Sequence, residues 1–418
     1  MKTWIKRFLL PITTLLLLTA CASSPPDTSP INPTQNRPNP TELGIHTEDQ
    51  NNLDSNLQNF LEALNQSEKI PIKSLALAFS DTNNLEQVRR LVIPPSAPAK
   101  RNWLSYRNRF IDPVRIKGGI HFIEKNLVSL EEAQQESGVP YQVITAIIGV
   151  ETLYGKQMGN FRVKDTLATL AFNYPATPNQ TARKKLFQNQ LKDLVLLCWD
   201  ESKTDQILFE RCLNQNSSYA GAIGLPQFMP SSIRSFAVDG DGNGSINLRQ
   251  SPNDAIRSVA NFLKMHGWQS GMPIYLPAVK STESYYTLSQ IADGKPELQF
   301  SLDELIKLGV LDSKYAKQEG LDLNSKALII DLMYLEADNQ VAYQYYIGLE
   351  NFLALVQYNR SYFYAQSVAE LAQELGYQNN IDQAIQKLTK DKPKINSAKK
   401  KIVKSNTTQN KTRQEKPQ

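Results

Sequence analysis

Gly149-Val150-Glu151-Thr152-Leu153-Tyr154-Gly155 is the stretch on which the reading of this chain turns. It follows an oily run, Val143, Ile144, Ile147 and Ile148, whose spacing predicts a helix with one apolar face. Glu151 stands three and four residues beyond Ile148 and Ile147, so it shares that face. A carboxylate is seldom placed there without a partner or a task. Low polarity disfavours its charged form and raises its pKa, as a general acid at neutral pH requires. Taken alone, these residues equally suit a surface glutamate at a frayed helix end, or one paired with an arginine in the core.

A second stretch adds to the first. Residues 219–230 read Tyr-Ala-Gly-Ala-Ile-Gly-Leu-Pro-Gln-Phe-Met-Pro, followed by Ser231-Ser232. Other pieces come in order: Asn102-Trp103-Leu104 with Tyr106 and Phe110, then Leu167 to Pro175. Asp254-Ala255-Ile256, Val259-Ala260-Asn261, His266-Gly267-Trp268 and Gln357-Tyr358-Asn359-Arg360-Ser361 complete the set. Together with Glu151-Thr-Leu-Tyr-Gly, these motifs resemble the membrane-bound lytic murein transglycosylase B family over roughly residues 55–380. The resemblance implies a mainly α (α+β) fold. It consists of a lysozyme-like helical catalytic domain with a smaller β-containing region and an EF-hand-like loop.

The N-terminus reads as an address. Lys2, Lys6 and Arg7 precede an apolar stretch from Phe8 to Leu18, and Leu18-Thr19-Ala20-Cys21 looks like a lipobox. Residues 1–20 are therefore expected to be a lipoprotein signal peptide, with Cys21 as the lipidation site. Ala22 is not the aspartate linked to inner-membrane retention, so the expected place is the periplasmic face of a Gram-negative outer membrane. Residues 21–52 carry six prolines between Pro25 and Pro40 and read as a disordered tether. Residues 387–418 hold 11 Lys/Arg against 2 Asp/Glu and read as a basic disordered tail. Residues 21–386 then carry 32 basic and 39 acidic side chains, so the overall charge of +5 hides an acidic body. This balance and compartment argue against a nucleic-acid partner.

Cys198 and Cys212 remain, an even pair open to a disulfide in an oxidising compartment or to two buried thiols. With only His46, His121 and His266, a His-built zinc site is not expected. The catalytic region is expected at 53–386. Its helical core covers about 99–270 and 345–386, with a small β-containing region at about 271–344. Helical periodicity marks 119–136, 140–152, 183–200, 253–266 and Leu349 to Leu375. Ile274-Tyr275-Leu276, Tyr285-Tyr286-Thr287, Leu298-Gln299-Phe300 and residues 326–335 read as strands.

Asp239, Asp241, Asn243 and the carbonyl of Ser245 match the first half of a calcium loop. Gln250 stands where the template has its last carboxylate, and Asp254 is positioned to replace it. A structural Ca2+ is expected, with no catalytic cofactor. A metal-free turn is the alternative.

The resemblance supplies a mechanism, because no convincing motif offers the second carboxylate most glycosidases use. It implies that Glu151 alone cleaves the MurNAc–GlcNAc β-1,4 bond of peptidoglycan without water, leaving 1,6-anhydroMurNAc ends. Arg183, Ser218, Gln227, Phe228, Tyr358, Asn359 and Tyr364 are the expected substrate-binding residues. The expected partners are glycan strands, a lipid anchor and wall-synthesis proteins. The rival readings are a lysozyme-type hydrolase and a non-catalytic wall-binding lipoprotein.

Overall fold

The computed structural model describes residues 47–94 and 101–378. Cys21, most of the tether and the basic tail lie outside them. The tether expectation ran too far, because α1 (Thr47–Glu68) already begins at Thr47. Leu53, Leu57, Leu61 and Leu64 recur along it at helical spacing, and all are buried. Two short helices follow, α2 (Ile72–Phe79) and α3 (Glu86–Leu91).

The catalytic layer is built from α4 (Trp103–Arg107), α5 (Pro113–Ser137), α6 (Tyr141–Thr152), α7 (Val163–Phe172), α8 (Gln180–Ser202), α9 (Gln206–Leu213), α10 (Pro230–Phe236) and α11 (Pro252–Met265). Asp112 caps α5 by accepting from the backbone of Val114 and Arg115, with Pro113 at the first helical position. The helix therefore starts earlier than its apolar repeat suggests. Gly138 ends it at φ 75°, which the left-handed conformation favours. The helix expected at 140–152 is α6, but it is buried on nearly every side rather than along one face. It packs against α5, α11 and α16 (Tyr362–Glu374) as the central post of the core.

β1 (Phe161–Arg162) and β2 (Asn216–Ser217) form a two-stranded antiparallel pair. A second, four-stranded sheet runs in the order β3 (Tyr275–Pro277), β6 (Val341–Gly348), β5 (Lys326–Leu335), β4 (Phe300–Ser301), with every pairing antiparallel. Side chains alternate across a strand. Leu328, Ile330 and Leu332 of β5 thus join the main helical core, while Ala327 and Ile329 join a smaller one with Ile347, Leu302 and Leu305. α12 (Thr282–Ile291), α13 (Leu302–Lys307) and α14 (Ser313–Gln318) belong to that second layer.

Tyr285-Tyr286-Thr287, read as a strand, lies in α12 instead. The Ser281 hydroxyl caps that helix by accepting from Ser284, and Leu288 points inward. The helical stretch expected from Leu349 to Leu375 consists of α15 (Glu350–Tyr358) and α16, parted at Asn359 by an extended backbone.

Cys198 of α8 and Cys212 of α9 are disulfide-bonded, their Cα atoms 5.4 Å apart. Closing a loop of 14 positions restricts the unfolded chain. Replacing both cysteines by serine is expected to cost about 3 kcal/mol. Urea unfolding of parent and double variant measures it; equal midpoints would contradict the expectation.

Candidate functional site

Glu151 occupies the last turn of α6, where the chain leaves the helix sharply. Leu153 and Tyr154 both adopt positive φ, 50° and 58°. Two consecutive non-glycine residues in this region persist only under outside constraint. The Tyr154 hydroxyl donates to the Arg115 carbonyl at 2.9 Å, and Arg115 Nε donates to the Gly149 carbonyl at 3.0 Å. Gly149 has no alternative, since a Cβ there would sit 2.5 Å from the Tyr154 hydroxyl oxygen. Thr152 Oγ1 donates toward the carbonyls of Leu225, at 3.0 Å, and Ile148, at 3.1 Å, and accepts from Gly155 N. The helix end is thereby tied to the Gly221–Phe228 loop.

Glu151 itself is half-buried. Burial raises its carboxyl pKa from 4.5 to about 7, against a smaller downward pull from Tyr364. The Tyr364 hydroxyl sits beside the carboxyl, yet its oxygen meets no hydrogen-bond partner at good geometry. The phenol is nonetheless close enough to the carboxyl to lower its pKa by hydrogen bonding. Tyr364 is itself buried, and burial and the Glu151 charge hold its phenol well above the ordinary range. Tyr106 of α4 is pushed up to about 12 by burial and then by Glu151. Tyr358 responds in the same direction. Three phenols from α4, α15 and α16 thus surround one acid.

The Gly221–Phe228 loop forms the facing wall. An antiparallel bridge between Ile223 and Phe228 closes it, with N–H···O distances of 2.8 and 3.1 Å. Gln227 at its tip adopts φ 51°, and its Nε2 donates to the Gly224 carbonyl at 2.9 Å, which orients the amide oxygen. The Tyr358 hydroxyl donates to the Pro226 carbonyl at 2.6 Å, linking α15 to the same tip. The Ser218 hydroxyl oxygen accepts from Ala220 N and Ala222 N, shaping the turn while keeping its proton to donate. Asn359 is half-exposed, and no described side-chain hydrogen bond engages its amide.

Two expected substrate contacts are buried, Tyr364 beside the acid and Phe228. Phe228 is 2% exposed and packs against Phe262 and Tyr358 at ring distances of 5.6 and 5.8 Å, so it offers no face to a sugar. It supports Tyr358 instead. Arg183 lies on the second turn of α8 near Tyr174, whose pKa burial raises and Arg183 partly offsets. Sequence reasoning quoted Tyr106 and Thr152 without giving either a role, and passed over Arg115. A hydroxyl one position after the acid was the available signal for Thr152.

The loop between α10 and α11 brings Asp239, Asp241 and Asp254 together, with one oxygen of each within 4.8 Å of the others. Asp254 is fully buried and accepts from Gly240 N at 2.9 Å and Asn247 N at 2.6 Å. Asp239 collects the amides of Gly242, Asn243 and Gly244, which hold its pKa low. Ser245 is turned so that its hydroxyl donates to the Asn243 side chain. Gln250 is occupied by the Asn247 amide. Among the described ion pairs none involves Asp239, Asp241 or Asp254, so this gathered negative charge has no side-chain counter-ion. An all-oxygen set of this kind fits a hard divalent cation.

The helical layer with its small flanking sheet has the lysozyme-like architecture. Residues 52–373 match the family model described as the transglycosylase SLT domain. The chain is 33% identical to membrane-bound lytic murein transglycosylase B of Escherichia coli (strain K12), covering 88% of this chain and 97% of that protein. The crystal structure of the soluble lytic transglycosylase SltB1 from Pseudomonas aeruginosa is 34% identical. It covers 77% of this chain and 98% of its own at a TM-score of 0.65. The Escherichia coli lytic transglycosylase Slt35 in complex with calcium is 33% identical, covering 77% and 92% at a TM-score of 0.62. The chain belongs to the SLT lytic transglycosylase family, peptidoglycan-cleaving lyases.

Proposed function

We propose that this chain cleaves the bond between N-acetylmuramic acid and N-acetylglucosamine in peptidoglycan with Glu151 as its single acid and base. The observation that carries the reading is a half-buried carboxyl held near neutral pKa by burial, with the phenols of Tyr106, Tyr358 and Tyr364 close enough to feel its charge.

Protonated Glu151 donates to the bridging oxygen as the C1–O bond breaks. The sugar's own acetamido oxygen stabilises the positive charge at C1. Glu151, now a carboxylate, takes the proton of the C6 hydroxyl, whose oxygen bonds to C1. The product carries a 1,6-anhydro ring, and water is neither consumed nor formed. Holding the C6 hydroxyl against C1 gives it the proximity advantage over solvent. The Gln227 amide oxygen, the Asn359 amide and the Ser218 hydroxyl are the proposed hydrogen-bonding contacts to the sugar. Tyr358 and Tyr106 wall the reacting ring, Tyr364 lies buried behind the acid, and Arg183 is assigned to a carboxylate of the attached peptide. Mass analysis of digested sacculi tests the chemistry: anhydro ends support it, and reducing ends in their place indicate a hydrolase.

Only the protonated acid starts the reaction. With its pKa about 7, kcat/KM is expected to fall as pH rises above neutrality. Tyr364 pulls that pKa down, so Tyr364→Phe is expected to move the alkaline limb to higher pH. A limb that stays put or moves to lower pH would remove Tyr364 from this role.

A calcium ion is the proposed occupant of Asp239, Asp241, Asn243, the Ser245 carbonyl and Asp254. Its role is structural: it would neutralise the loop that leads from the Gln227 wall into α11. The relative in Escherichia coli is membrane-bound. We assign this chain to the outer membrane through a lipid on Cys21. Among the described residues no helix is long and apolar enough to cross a membrane.

A further inference from the structure

A hollow of about 540 Å3 lies beside α4, the C-terminal half of α16 and the β3–β6 part of the sheet. That volume is within the range of small-molecule sites, about 300–1,000 Å3. It is distinct from the Glu151 cleft but shares its supports. α4 turns Tyr106 toward Glu151 and lends Trp103 and Arg107 to the hollow. α16 brings Tyr364 to Glu151, and its hollow-lining residues Glu370 and Gln373 lie roughly 9 and 14 Å farther along the axis.

The chemistry of the walls narrows the ligand. Arg107 is ion-paired to Glu370, so neither is a bare charge. Glu374 is the remaining acidic side chain, which suits neither an anion nor, alone, a metal. The rest is amide and phenol. Tyr275 and Gln373 share hydrogen bonds of 3.2 and 3.1 Å, and the Gln344 amide donates to the Tyr346 hydroxyl. The two tyrosine rings meet edge to face with centroids 5.0 Å apart, fixing each other's orientation. At the margin Leu104 is 44% exposed, an apolar spot in polar surroundings. Pre-oriented planar amides, a neutralised Arg–Glu fork and fixed rings suit an uncharged ligand dense in hydroxyl and amide groups.

We propose that this hollow is a second saccharide site, taking an N-acetylated disaccharide unit of a glycan strand while Glu151 works elsewhere. The methyl of an acetamido group would rest on Leu104. The preference for N-acetylated sugars rests on the glycan reading above; the saccharide character of the walls does not.

The test uses 15N-labelled Glu151→Gln protein titrated with chitotetraose. Saturable shifts of the Gln344 and Gln373 side-chain amides are expected. Asn108→Trp, which fills the mouth from an exposed position, and Gln344→Ala, which adds no bulk, are each expected to weaken binding there at least fivefold, followed on Gln373. No shift at these amides, or two variants that titrate like the parent, overturns the proposal. Cellotetraose, which lacks acetamido groups, is expected to bind at least fivefold more weakly. Equal binding overturns the N-acetyl preference. Failure of the catalytic reading appears separately, as sacculus cleavage that survives Glu151→Gln.

Discussion

The Glu151→Gln protein is expected to release muropeptides from purified peptidoglycan at least about 10³-fold more slowly than its parent, because one positioned acid–base group contributes roughly 10²–10⁴ and here it serves both steps. Its stability is expected to move the other way. Burial raises this carboxyl from 4.5 to about 7, so the folded chain holds the proton more tightly than the unfolded chain. The parent is therefore most stable below pH 4.5 and loses stability as pH rises toward 7, after which the penalty is constant. Glutamine carries no such penalty. At pH 8 the variant should gain up to about 2 kcal/mol, after discounting for the part of the carboxyl that meets solvent, and at pH 4 it should match the parent. Thermal melts at the two pH values measure this. A variant that clears sacculi, or one that melts lower at pH 8, would show that Glu151 is a structural anion instead.

Asp254→Ala is expected to have the largest effect on folding. The carboxylate, in the first turn of α11, is fully buried and accepts from the backbone amides of Gly240 and Asn247 in the preceding loop. Orphaning those donors and removing a negative charge from a helix start costs roughly 3 kcal/mol together. Calcium at a hundredfold excess over its Kd would add about 2.7 kcal/mol to the parent. Asp239→Ala separates the two effects. Asp239 sits in the outer part of the loop, so this variant is expected to fold without metal yet lose the calcium-dependent rise in Tm. A parent whose Tm ignores calcium would mean that the loop amides alone neutralise these carboxylates.

What the sequence revealed depended on whether a signal was local. The run from Val143 to Glu151 declared both a helix and its misplaced acid, because burial and periodicity are written in neighbouring residues. The residue types of the calcium-like loop were equally plain. Phe228 was misjudged because an aromatic beside a motif looks the same whether it faces a cleft or supports one; only the packing of Phe262 and Tyr358 decides. Tyr285 and Tyr286 favour strands by type, yet Ser281 supplies a cap that turns the segment helical. Tyr106 joins Glu151 from 45 positions away, a proximity no local pattern encodes.

The Thr152 hydroxyl carries one more consequence. By bonding both its own helix and Leu225, it makes the proton donor and the loop that grips the sugar parts of one immobile jaw. The Tyr358 hydroxyl, bonded to the Pro226 carbonyl, joins α15 to that same jaw, so the cleft is set before a glycan arrives. A serine at position 152 would keep the clasp, whereas a valine would let the two halves of the jaw drift apart and spoil the aim of an otherwise intact acid.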